Sequence, residues 1–110
     1  MSDSNGFRVR VVDVEGESVV EVSGEIDLHA RTELVTAIGQ ASTAGRRLVI
    51  DLSETTFVDS AALKALLDAW RAWAADGHEF LLRDPSPAVV RALEITSLAD
   101  ALPVENTDHS

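Results

Sequence analysis

Five consecutive residues, Leu48-Val49-Ile50-Asp51-Leu52, carry four branched aliphatic side chains and one acid. So short an apolar run, without polar alternation, suits a central strand covered on both faces. Amphipathic segments flank it. Before it, Ala30, Leu34, Ala37, Ile38 and Ala41 recur at helical spacing, which predicts a helix from about His29 to about Ala44 with Gly45 as its stop. After it, Leu63, Leu66, Leu67, Trp70 and Ala74 fall on one face of a second helix, from about Ser60 to Ala75, ended by Asp76-Gly77. A buried strand set between two helices predicts an α/β chain with right-handed crossovers and parallel pairing.

The remaining segments extend that reading. Phe7, Val9 and Val11 alternate with Arg8 and Arg10, a half-buried strand ending near Val14. Glu15-Gly16-Glu17 is a turn signal, and Val19, Val20 and Val22 form a second strand, antiparallel to the first. Ser53 to Asp59 reads as a loop. Phe80, Leu81 and Leu82 make a fourth strand. Asp84-Pro85-Ser86-Pro87 breaks the chain and starts a helix, with Ser86 as N-cap, Pro87 at the first helical position, and Val89, Val90 and Leu93 on its apolar side. A short helix near Ser97 to Ala101 and extended chain through Pro103 and Val104 complete the pattern. The expected fold class is α/β: one domain over residues 7–105, a mixed, mostly parallel sheet of four to five strands packed with three to four helices, opening with a β-hairpin. The helices should cover one face more than the other. Residues 1–6 and 106–110 are expected to be disordered tails.

Composition narrows the function. The 110 residues are 45% hydrophobic, enough for one packed core. Nine basic and nineteen acidic residues give a net charge of −10, which argues against direct nucleic-acid binding and against an anionic membrane, since both surfaces are negative. A basic protein partner suits such a surface. The absence of cysteine excludes disulfides and thiolate chemistry. The polar start, Met1-Ser2-Asp3-Ser4-Asn5-Gly6, lacks the regions of a signal peptide, so a cytoplasmic location is expected.

Catalytic constellations are weakly supported. Asp51 at the end of an apolar strand invites comparison with a phospho-acceptor aspartate, but Asp13 and Glu15 flank a turn and the sole lysine, Lys64, lies inside a helix. A serine nucleophile at Ser60 would need a tight glycine-flanked elbow and a well-placed base. Its flanks are Asp59 and Ala61, and His78 and His109 sit in a turn and a tail. His29 and Asp27 lack metal-ligand spacing. No catalytic residue, metal or cofactor is therefore expected, and the chain reads as a non-enzyme. Trp70 continues an apolar stripe and should be core; Trp73 borders it as a weak interface candidate. Ser60 by local pattern is a helix N-cap, a role Asp59 can also take.

Two motifs carry a resemblance. Ser23-Gly24-Glu25-Ile26-Asp27-Leu28, and Leu48 to Leu52 leading into Phe57-Val58-Asp59-Ser60-Ala61-Ala62-Leu63, resemble in their order and spacing the STAS family, over about Phe7 to Glu105. Its best-known soluble members are bacterial anti-sigma factor antagonists. The resemblance implies Ser60 as phosphorylation acceptor. It implies a partner-binding surface of Glu25, Asp27, Asp59, Ser60, Ala61 and Ala62, facing an anti-sigma factor with serine kinase activity. A serine phosphatase resets the switch, and a weak homodimer is compatible with it. Two positions depart from the Asp-Ser-Ser-Gly-like pattern: Ala61 replaces a serine, and Ala62 stands where glycine is frequent. The Ala62 methyl lies either where a partner backbone approaches or where helix and strand pack. The same resemblance allows a constitutive interaction subunit of a lipid-transport or signalling complex, with no serine phosphorylation.

Overall fold

The hairpin that opens the chain turns on two residues. Glu15 and Gly16 both take positive φ, 36° and 88°, as a two-residue hairpin turn of the primed type requires. They join β1 (Arg8–Val14) to β2 (Glu17–Ile26), paired antiparallel. The chain then runs through α1 (Leu28–Ala41), β3 (Arg47–Val58), α2 (Ser60–Ala75), β4 (Phe80–Arg83), α3 (Pro87–Ile95) and β5 (Val104–Glu105). A computed structural model describes residues 6–41, 47–97 and 100–107. The expected helix end near Ala44 with its Gly45 stop lies outside the described residues, and so does the middle of the expected helix at Ser97 to Ala101.

The five strands lie in chain order, β1-β2-β3-β4-β5, with every pair after the hairpin parallel. Each crossover helix thus returns the chain to the next neighbour, and crossovers of one hand in one direction put all three helices on one face. Leu34 and Ile38 of α1, Leu63 and Leu66 of α2, and Val89 and Leu93 of α3 join Val20, Val22, Leu48, Ile50 and Leu82 in one core. Trp70 and Trp73 are partly buried against it, and Trp73 stacks obliquely on His78 with ring centroids 5.7 Å apart. Ala74, expected in the stripe, is exposed. Ser86 caps α3 as expected, with Pro87 in its first turn, and its hydroxyl donates to the Thr55 carbonyl. Thr107, in the stretch expected to fray, donates its N–H and hydroxyl to Asp84.

Two expectations about β3 are corrected. The strand does not end at Leu52: Ser53 to Val58, read as a loop, continue it. Between the pairs Glu21↔Asp51 and Ser23↔Glu54, and again between Gly24↔Thr55 and Glu25↔Phe57, β3 holds one more residue than β2. Two bulges turn the strand's alternation into a spacing of three, with Leu52, Thr55 and Val58 buried and the pairs between them exposed. The second concerns what covers the other face of Leu48–Leu52: the helices lie on one face, as expected, and among the described residues no helix lies on the other. Val19, Val49 and Leu81 form a separate apolar row there, paired side by side across three strands, yet Val49 is 0% exposed. Ion pairs roof it. Arg83 on β4 donates to Glu17 on β2 at 2.9 and 3.1 Å, passing over β3, and at 2.8 Å to Glu105 on β5. Arg47 adds contacts to Glu17 at 3.3 Å and to Glu105 at 3.5 Å. The hydrogen bond from Arg83, against the opposing effect of burial, holds the Glu17 carboxyl below its ordinary pKa of 4.5, and both guanidinium charges add to this.

Candidate functional site

Each of the two sequence motifs holds an aspartate, and the two do the same job. Asp27 caps α1: its Oδ1 accepts from the backbone N–H groups of His29 at 2.9 Å and Ala30 at 3.0 Å, and its carbonyl accepts from Arg31 at 3.0 Å. Asp59 caps α2: its Oδ1 accepts from Ala62 N–H at 2.8 Å and its carbonyl from Leu63 at 3.1 Å. Each satisfies amides that a helix start leaves without partners. The starts are tied together, since Asp59 N–H donates to the Ile26 carbonyl at 3.1 Å while Ile26 pairs with Val58. Two positive helix ends therefore open side by side at the carboxyl ends of β2 and β3.

This settles which residue caps α2. Ser60 does not; it is the first helical residue, exposed, and among the described residues no hydrogen bond engages its hydroxyl. Glu25, beside Phe57 in the register, is also exposed, while Asp27, Asp59 and Ala61 are half-buried. Ala62 is fully buried, so its methyl packs between helix and sheet, the second of the two places open to it.

Gly24 fixes the geometry of the first motif. Its φ is +88°, and a Cβ there would lie 1.9 Å from the Gly6 carbonyl oxygen, so only glycine lets the two backbones meet. It sits at the second bulge, which sets Glu25 opposite Phe57. Phe57 was missed in the sequence. It is 48% exposed, two residues before the cap; a bulky aromatic in a stretch without alternation, next to the Asp59-Ser60 motif, was the available signal.

The alternative chemistries find no geometry. Asp51 lies on the helix-free face in register with Glu21 and Arg83 and accepts from the Ser53 N–H and hydroxyl. His78 lies beyond the far end of α2 from Ser60, and His109 is outside the described residues. Among the described residues no cluster of three or more His, Cys, Asp or Glu could hold a metal, and no helix is long and apolar enough to cross a membrane.

Comparison with known proteins agrees with the architecture. A family model described as Mlab, STAS domain matches residues 9–104. The anti-sigma-F factor antagonist RsfB of Mycobacterium tuberculosis is 40% identical over 67 residues, which are 60% of this chain and 55% of RsfB, so the chain spans little more than half the length of that relative. An anti-sigma-B factor antagonist of Listeria monocytogenes is 30% identical over 88 residues, covering 79% of this chain and 77% of the relative. The crystal structure of an anti-sigma factor antagonist from Mycobacterium paratuberculosis superposes with a TM-score of 0.82 at 33% identity, covering 94% of this chain and 89% of that one. With a family match over nearly its whole length and a backbone that superposes on a solved relative, the chain belongs to the STAS family.

Proposed function

We propose that this chain is an anti-sigma factor antagonist gated by phosphorylation of Ser60. The observation that carries the reading is the division of labour at the start of α2: Asp59 caps the helix, and Ser60 is left exposed with a hydroxyl that the fold does not use. In the unmodified state the chain binds an anti-sigma factor and so releases a sigma factor. Glu25, Asp27, Asp59, Ser60 and Ala61 form the binding surface, with Ala62 packed beneath it and Phe57 as its apolar anchor. The carboxylates select a basic rim on the partner, and half-exposed aromatics are frequent anchors of protein interfaces.

The anti-sigma factor is also the kinase. The γ-phosphoryl group of ATP passes to Ser60 Oγ, the hydroxyl proton goes to a base of the kinase, and ADP leaves. Phosphate adds about −1.5 to −2 charges. The fold tolerates it, because a helix start favours an anion. The interface does not: Glu25, Asp27 and Asp59 already make the patch acidic, and a desolvated interface of like charges loses several kcal/mol. A loss of about 3 kcal/mol is over a hundredfold in affinity. A serine phosphatase restores the hydroxyl. The chain is thus a substrate and a binding module, not a catalyst, and works in the cytoplasm where its partners are.

The test is incubation with the cognate anti-sigma kinase and ATP, followed by mass-spectrometric mapping and by binding of Ser60→Ala and Ser60→Asp. Phosphate on Ser60, with binding kept by Ser60→Ala and lost by Ser60→Asp, supports the gate. No modification, together with parental binding by both variants, sinks it and favours a constitutive STAS interaction subunit of a lipid-transport or signalling complex. Ala61 and Ala62 at the motif positions are the observations on that side.

A further inference from the structure

A groove runs along the helix that carries Ser60. It lies between α1 and α2, has a volume of about 570 Å³, and is lined by Arg31 and Val35 on one wall and by Ala61, Lys64 and Asp68 on the other. Its Ala61 end adjoins Ser60. Its charges are few: Lys64 is the sole lysine of the chain, and its Nζ sits 3.3 Å from Asp68, four residues on, with both side chains mostly exposed.

That pairing is the poorer of two available to Lys64. Helical side chains lean toward the N-terminus, so a lysine reaches an acid four residues before it more readily than one four residues after it. An acid preceding a lysine at this spacing is accordingly the more stabilising order. Position 60 is four residues before Lys64, about 6 Å up the helix. It holds a neutral serine in the unmodified chain, so Asp68 has no competitor. A phosphate at 60 brings the favoured order and about twice the charge.

We propose that Lys64 is the internal counter-ion of phosphorylated Ser60, leaving Asp68 for the phosphate when the serine is modified. The inference rests on Ser60 being the acceptor. Its consequence is spatial. Released Asp68 becomes an unpaired carboxylate on the groove wall, about 12 Å from Ser60 along the helix. One phosphoryl transfer therefore changes the surface at two points, the helix start and the groove two turns below, and a partner that spans both senses modification twice.

Phosphoserine encoded at position 60 during synthesis of the full chain tests this without a kinase. The readout is the pH midpoint of the phosphate's second ionisation, followed by 31P NMR at low salt. The other charged groups on the elements that meet at the two helix starts are Glu25 on β2, Asp27, His29 and Arg31 at the start of α1, and Asp59 on α2, beside Lys64 itself. All except Lys64 are the same in the parent and in Lys64→Gln, so their effects cancel. The expected result is a midpoint about 0.2–0.4 pH units higher in Lys64→Gln than in the parent, restored by Lys64→Arg. Equal midpoints in parent and Lys64→Gln overturn the proposal. Failure of the kinase to modify Ser60 would overturn the gating reading instead, and leaves this measurement intact.

Discussion

The helix-free face of the sheet and the paired helix starts both use carboxylates, in opposite ways. On the open face Glu17 and Glu105 are matched by Arg47 and Arg83, and the four side chains close over Val19, Val49 and Leu81. Here charge replaces a missing layer of helices, because long arginine stems cover apolar surface while their heads stay paired. At the helix starts Asp27 and Asp59 are satisfied by backbone N–H groups instead. Amide dipoles meet their hydrogen-bonding needs without cancelling their net charge. The first arrangement is neutralised and holds the fold; the second remains acidic and faces outward. The difference separates charges neutralised by other side chains from charges held by backbone amides and left acidic at the surface.

Substitutions can break this contrast. Gly24→Ala should cost most, about 3 kcal/mol or more, since the new methyl meets the Gly6 backbone and the residue keeps a positive φ; the denaturation midpoint reads it directly. Arg83→Met should follow with a loss of about 1–2 kcal/mol, because Glu17 and Glu105 lose their closest cation over an apolar row. Partner binding should be unaltered in that variant under conditions where it is folded, and a selective binding defect would erase the separation between the two regions.

Acid sharpens the same comparison. The folded pKa of Glu17 is lowered, so its contribution is complete above the unfolded value of 4.5 and disappears as pH falls through the folded value. Glu17→Gln should therefore flatten the acid side of the stability profile by up to about 1 kcal/mol, measured by denaturant midpoints between neutral pH and the acid limb. The smallest pair of effects lies at the helix start. Asp59→Ala should cost about 1 kcal/mol as the loss of a cap, and Ser60→Ala only a few tenths. Equal losses by thermal denaturation would return the capping role to the serine.

Much of the fold was legible because its signals are local. The Glu15-Gly16 turn, the periodicity of α1 and α2, and the Ser86-Pro87 start of α3 each lie within one turn or one strand of sequence. The failures have physical causes. Ser53 to Val58 hide a strand because two bulges replace a period of two by a period of three. The roof over Val49 joins Glu17 to Arg83, 66 residues apart, a contact no local pattern announces. The choice between Asp59 and Ser60 as cap turned on one residue, and both are good capping types. The Asp59-Ser60 motif at the start of α2 was legible, but the exposure of Phe57 was not, since it follows from the bulges rather than from hydrophobicity.

Those bulges also bear on how the molecule acquires its site in time. Every pair between β2 and β3 joins residues about thirty positions apart, with all of α1 between them. Closing such a loop precedes any reward from the contacts it brings, so this zipper is among the slower events of folding. Its register then decides everything downstream: a chain that zips past Gly24 one residue out of step brings a different residue beside Glu25 and loses the Asp59–Ile26 tie that sets the two helix starts together. A nascent or misregistered chain therefore carries Ser60 without the neighbouring arrangement of Glu25, Asp27 and Asp59, and that arrangement exists only once folding is complete.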